Sequence, residues 1–225
     1  MQNRIKKMLV LYLTLMLISG LFKNSTASAE NTMNDSEITE AYYKSYAYER
    51  VGNYTNAINA LAMVYQAYPK TYTINIRLGY LNYLNQRYAN AVKYYDAAHT
   101  IAPESLSPRT AMMLVLNTQT QYSDSEAIGY QILKIDPYNY YANLYLLSAL
   151  RLSKKYEAGA KIALKMLAIA PSDISFLLEY GWLTLAQSDT QKAYGAFNYV
   201  LLLDPENVSA KQGMQLLTPK KNQPK

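Results

Sequence analysis

Five prolines, Pro69, Pro103, Pro137, Pro171 and Pro205, stand 34 residues apart. That interval is the period of a helix–turn–helix repeat, so the chain must build a stack of like units in which each unit touches only its neighbours. Counting back from each proline exposes the register. Fifteen residues before it stand Tyr54, Tyr88, Tyr122, Tyr156 and Thr190. Twelve before it stand the small residues Ala57, Ala91, Ser125, Gly159 and Ala193. Five before it stand Val64, Ala98, Ile132, Met166 and Val200, and two before it Ala67, Ile101, Ile135, Ile169 and Leu203. Offsets of this kind recur on one face of a helix and predict that face as the packing surface. The proline ends the helix, because it lacks an N–H and restricts the residue before it.

An earlier helix is readable in each unit. Twenty-four residues before the proline lie Ser45, Gly79, Met113, Leu147 and Gly181. Glycine inside a helix costs about 1 kcal/mol relative to alanine, so Gly79 and Gly181 are expected to allow close helix contact. Met113 and Leu147 break the small-residue pattern, and Ser125, Gly129, Gly159 and Ala163 offer matching space. This predicts an exchange of volume across the helix pair. Val51-Gly52-Asn53 and Ser188-Asp189 fit turns between helices. Ser107-Pro108 predicts an N-cap followed by proline in the first helical position, and Ser36 is expected to cap the first helix.

These residues resemble the tetratricopeptide repeat family. The second unit matches its pattern through Leu78-Gly79, Tyr88, Ala91, Tyr95, Ala98 and Pro103, and the fifth through Gly181, Ala193, Phe197, Val200 and Pro205. The resemblance implies an all-α, right-handed solenoid of about five units: 38–71, 72–105, 106–139, 140–173 and 174–207. A helix over 208–217 would then cap the open end, followed by a basic tail at 218–225.

The N-terminus reads as an export signal. Arg4, Lys6 and Lys7 precede a mostly apolar run from Met8 to Phe22, and Ala27-Ser28-Ala29 offers a cleavage site after Ala29. The run is shorter than the roughly 18 residues of a spanning helix, so a membrane link would come only from an uncleaved signal. The expectation is a periplasmic or secreted protein of bacterial type, with a polar lead-in over 30–37. The whole chain carries +6. Removing residues 1–29 leaves +2, and setting aside Lys220, Lys221 and Lys225 leaves a body of −1. A near-neutral body argues against nucleic acid. There is no cysteine, which removes disulfides and thiol chemistry. The one histidine, His99, is expected to pack or face solvent, and Lys154, Lys155, Lys161 and Lys165 to form a solvated basic patch. No motif for catalysis, a metal or a cofactor is present, so an enzyme is not expected.

In the family, residues of each unit's first helix line a concave groove. Carried onto this chain, the resemblance implies a groove bearing Tyr42, Tyr46, Arg50, Arg77, Tyr80, Tyr83, Tyr141, Tyr145, Arg151 and Trp182. Tyr, Trp and Arg combine large buriable area with a polar handle. Some family members clamp a C-terminal carboxylate with Lys, Asn and Arg. Here Tyr42, Tyr46, Ser107 and Ala111 stand at clamp positions, so the clamp is lacking. The implied role is an exported adaptor that docks a peptide or partner helix, in envelope assembly or secretion. Carbohydrate binding in a polysaccharide export system and a self-assembling scaffold are the alternatives.

Overall fold

The computed structural model describes residues 33–217. The expected signal over 1–29, the first part of the lead-in and the basic tail lie outside the described residues. Among those described there is no strand. The helices are α1 (Asp35–Arg50), α2 (Tyr54–Asn59), α3 (Ala62–Ala67), α4 (Tyr72–Leu84), α5 (Tyr88–Ile101), α6 (Ser107–Thr118), α7 (Tyr122–Ile135), α8 (Tyr140–Leu152), α9 (Tyr156–Leu167), α10 (Ile174–Ala186), α11 (Thr190–Leu203) and α12 (Val208–Leu217). Each packs mainly on its neighbours in the chain and on the corresponding helix of the next pair. In the first pair the second helix is interrupted. The backbone at Leu61 bonds to Ile58 at i−3, and α2 and α3 lie on either side of that tightened turn.

Turns within the pairs repeat in detail. Gly52, Gln86, Thr120, Lys154 and Ser188 all have positive φ, between 58° and 72°, and all stand 34 apart. At each, the next residue's N–H reaches back five residues, as in Arg87 to Asn82 at 2.8 Å and Lys155 to Leu150 at 2.8 Å. This is the Schellman ending, which satisfies carbonyls that the helix leaves open. Only the first of these positions is a glycine, so the bonding pattern holds four ordinary side chains in a left-handed conformation that costs each of them energy. The turns between pairs are held differently. The Asn75 side chain donates to the carbonyls of Pro69 and Thr71, each at 2.8 Å, and Asn143 donates to those of Pro137 and Asn139.

The core follows the small-for-large exchange. A Cβ added at Gly79 would fall 2.6 Å from the Tyr95 ring, and one at Gly129 2.7 Å from the Met113 methyl. The bulky member thus sits on α5 in one pair and on α6 in the next. Leu147 and Ala163 share a cluster with the same order as Met113 and Gly129. Phe197 returns the bulk to the second helix. Its ring lies between Gly181 of α10 and Gly213 of α12, where an added Cβ would fall 2.6 and 2.4 Å away. Gly159 departs from the expected pairing: its space is filled by Leu183 of the next pair, 2.7 Å from an added Cβ.

Three further expectations are corrected. The residues two before each proline are not core. Ile101, Ile135, Ile169 and Leu203 are all exposed, Ile135 by 68%. Three residues beyond the buried position at −5 is about 300° of helical turn, which places them about 60° off the buried line. Ser36 does not cap α1. Asn34 does, accepting from the Glu37 N–H while the Glu37 carboxylate accepts from the Asn34 N–H, both at 2.9 Å, a reciprocal arrangement that satisfies two open donors. Ser107 lies inside α6, whose cap is Leu106 without a side-chain bond. Pro108 therefore occupies the second helical position, where its missing N–H is still harmless.

Candidate functional site

The first helices of successive pairs, α1, α4, α6, α8 and α10, form one face, and its polar residues meet at a fixed interval. A side chain late in one first helix reaches one early in the next, 28 residues on. Glu49 of α1 pairs with Arg77 of α4 at 2.5 Å. Asn117 of α6 donates to the Tyr145 carbonyl of α8 at 2.8 Å. Arg151 of α8 makes a two-pronged bond to Glu179 of α10, at 2.8 and 3.3 Å. Such fork-to-carboxylate bonds are directional as well as strong. Two of the three expected groove arginines are therefore already neutralised. Arg50 is exposed and forms no ion pair among the described residues.

The expected residues gather at two stations. At the first, a hollow of about 840 Å³ is lined by Tyr42, Tyr46, Arg77 and Tyr80, together with Tyr68, Tyr72, Ile38 and Asp35. It shares Tyr46 and Tyr80 with a hollow of about 610 Å³ that holds Glu49, Arg50, Tyr43, Tyr54 and Leu84. The Arg77 guanidinium lies 3.9 Å from the Tyr46 ring centre and donates to the buried Ser45 hydroxyl at 3.2 Å. Its Nε is buried without a hydrogen-bond partner. Burial, and then the Glu49 carboxylate, pushes the Tyr80 phenol above its usual range.

At the second station, a hollow of about 510 Å³ is lined by Tyr145, Arg151 and Trp182, with Leu114, Asn117, Leu144, Leu178 and Glu179. The Trp182 indole donates to Ser209 of α12 at 2.9 Å and stands edge-on to Phe197. Burial is also the main cause that raises the Tyr145 phenol. Tyr141 stacks on Tyr145 with ring centres 5.9 Å apart and is 58% exposed, but lies outside these hollows. Tyr83 does too; it is half-buried and leans on Tyr88. Residues that sequence reasoning missed include Tyr68, Tyr72 and Ser209, which come from outside the expected groove positions. The 28-residue spacing of Glu49 from Arg77 and of Arg151 from Glu179 was the available signal for the pairing.

Outside this face, His99 is half-buried with Nδ1 unpartnered. The lysine patch is partly tied down. Lys155 pairs with Glu126 and Lys161 with Glu157, and Lys165 donates to the Pro137 carbonyl at 2.6 Å. Among the described residues, no group of three or more His, Cys, Asp or Glu side chains is placed to hold a metal. No described helix is long and apolar enough to cross a membrane.

Residues 44–105 match a tetratricopeptide repeat family model. Among curated protein sequences, none matches the chain. Solved structures of similar fold include MamA from Desulfovibrio magneticus RS-1, with a TM-score of 0.67 at 18% identity over 79% of this chain and 99% of that one. A tetratricopeptide repeat protein from Parabacteroides merdae has a TM-score of 0.70 at 15% identity over 81% and 72%. YrrB, described as having an unusual peptide-binding site, has a TM-score of 0.61 at 11% identity over 80% and 94%.

Proposed function

We propose that this chain, a tetratricopeptide-repeat protein, is an exported adaptor that docks a peptide or helix of another protein on its first-helix face. The observation that carries the reading is the pairing of exposed aromatic surface with satisfied charge on that face. Tyr46 and Tyr80 are 47% and 41% exposed, yet the ion pair between them is closed within the chain. A partner that covers these rings gains apolar burial without stripping water from a lone buried charge. The rings carry few rotatable bonds, so little side-chain freedom is lost on docking. The peptide-binding site described for YrrB supports this class of partner by fold likeness. The N-terminal sequence, read as an export signal, supports a role at the cell envelope or in secretion.

The test is photo-crosslinking in the native cell, with the reactive residue at Tyr80 on the groove face or at the exposed Lys93 of α5. A discrete protein adduct from Tyr80 and none from Lys93 is the expected result. Adducts from Lys93 alone would move the interface to the outer helices and overturn the reading.

Sugar binding is favoured by one specific observation. Tyr141, 58% exposed, stacks on the half-buried Tyr145, and its open face is a surface on which a sugar ring's C–H face could rest. Soluble glycans that shift the emission of Trp182, the single tryptophan, would support it.

A further inference from the structure

The two hollows of the first station form a trough along α1, since they share Tyr46 and Tyr80. Its chemistry is narrow. Its walls are tyrosine rings and aliphatic side chains, with Thr71 and Thr73 among them. Arg77 on its floor is matched by Glu49. Its two ends carry opposite charges that form no ion pair among the described residues: Asp35 at the start of α1 and Arg50 at its end. Helices line it, so no open backbone edge is present to pair with a strand.

Those features select among extended ligands. A ligand in this trough finds no ladder of main-chain partners, so its own backbone must stay solvated or bonded within itself. A polyproline II segment meets that condition: it has no internal hydrogen bonds, keeps its backbone in water and is ordered before it binds. Its pyrrolidine rings fit against flat aromatic faces. The Tyr68 and Tyr72 hydroxyls are already bonded to Met33 and Ser105, so the exposed Tyr43 and Tyr46 hydroxyls are the ones that meet its carbonyls. The length also agrees. Asp35 to Arg50 spans roughly 23 Å at 1.5 Å per helical residue, which is about seven to eight residues at 3.1 Å each.

Building on the adaptor reading, we infer that this trough takes a proline-rich segment of a partner protein, with a basic residue at the Asp35 end and an acidic residue at the Arg50 end. The charges set direction, and the tyrosines supply the affinity.

The probe is the fluorescein-labelled peptide Lys-Pro-Pro-Ala-Pro-Pro-Pro-Glu, measured by polarisation against the full chain lacking residues 1–29. Two controls reverse the terminal charges or replace every proline by glycine, and both are expected to bind at least tenfold more weakly. Tyr46→Ala with Tyr80→Ala removes two exposed rings and is expected to cost tenfold or more, with far-ultraviolet circular dichroism unchanged. Asp35→Lys with Arg50→Glu is expected to switch preference to the charge-reversed peptide. Equal binding of the glycine control, indifference to charge reversal, or failure of every probe to bind would each overturn the inference. The adaptor reading fails separately, through the Tyr80 crosslink: an adduct there with no peptide binding removes the proline-rich ligand and keeps the docking face.

Discussion

The two stations of the groove face use one recipe with the charges exchanged. Glu49 to Arg151 is 102 residues, three 34-residue periods, and so is Arg77 to Glu179. The acid comes from the earlier pair at the first station and the base from the earlier pair at the second. Exposure follows. The Arg77 side chain is 9% exposed against 20% for Glu49, whereas Arg151 is 29% exposed against 14% for Glu179. The better-covered partner is in each case the one on the later helix. One position in the repeat therefore supplies a buried bridge of either polarity, and the face is specialised locally by which charge it leaves nearer the water.

This comparison breaks most sharply if the guanidinium is removed at both stations. Arg77→Ala strands Glu49 and also removes the buried guanidinium with its contacts to Ser45 and the Tyr46 ring, and is expected to cost about 3 kcal/mol in urea unfolding. Arg151→Ala should cost about 1–2 kcal/mol, because the Arg151 guanidinium is the more exposed of the two and its loss removes less buried bonding. Equal losses would reject burial as the difference. Next in size is Gly213→Leu, which drives a side chain into the Phe197 ring and should cost about 2–3 kcal/mol. Red-shifted Trp182 emission would show that the second station loosens through its bond to Ser209, while peptide binding at the first station should be unaltered. Gly159→Leu, on α9 within the span of the second station, meets Leu183 and should lower stability by about 2 kcal/mol; an unchanged melting temperature would refute the close fit. Smallest is Thr120→Gly in a turn midway along the stack. Relief of a β-branched residue at positive φ should raise stability by about 0.5 kcal/mol, and no gain would mean that the turn stores no strain.

Much of the fold was legible because its determinants are local and periodic. Proline stops a helix wherever it stands, and small residues at Ala57, Ala91, Ser125, Gly159 and Ala193 report close packing within one helix. What escaped depends on neighbours. Ile135 looks like core on the helical period, but lies on the shoulder of the buried stripe at the helix end. The partner of Gly159 is set by the offset between pairs, which placed Leu183 there instead of Leu147. Arg77 and Arg151 read as free cations until first helices are laid side by side. The left-handed turns at Gln86, Thr120, Lys154 and Ser188 carry no glycine, so only the backbone bonds reveal them.

The Phe197 ring, held between glycines on α10 and α12, also gives the molecule a mechanical direction. Tension on the C-terminus must first draw that ring out from between two helices, so this end resists until it yields in a single event. At the other end, among the described residues, Tyr48 of α1 and Val51 just after it are exposed. Pulled from that end instead, the stack would release α1 before the latch at Phe197 yields.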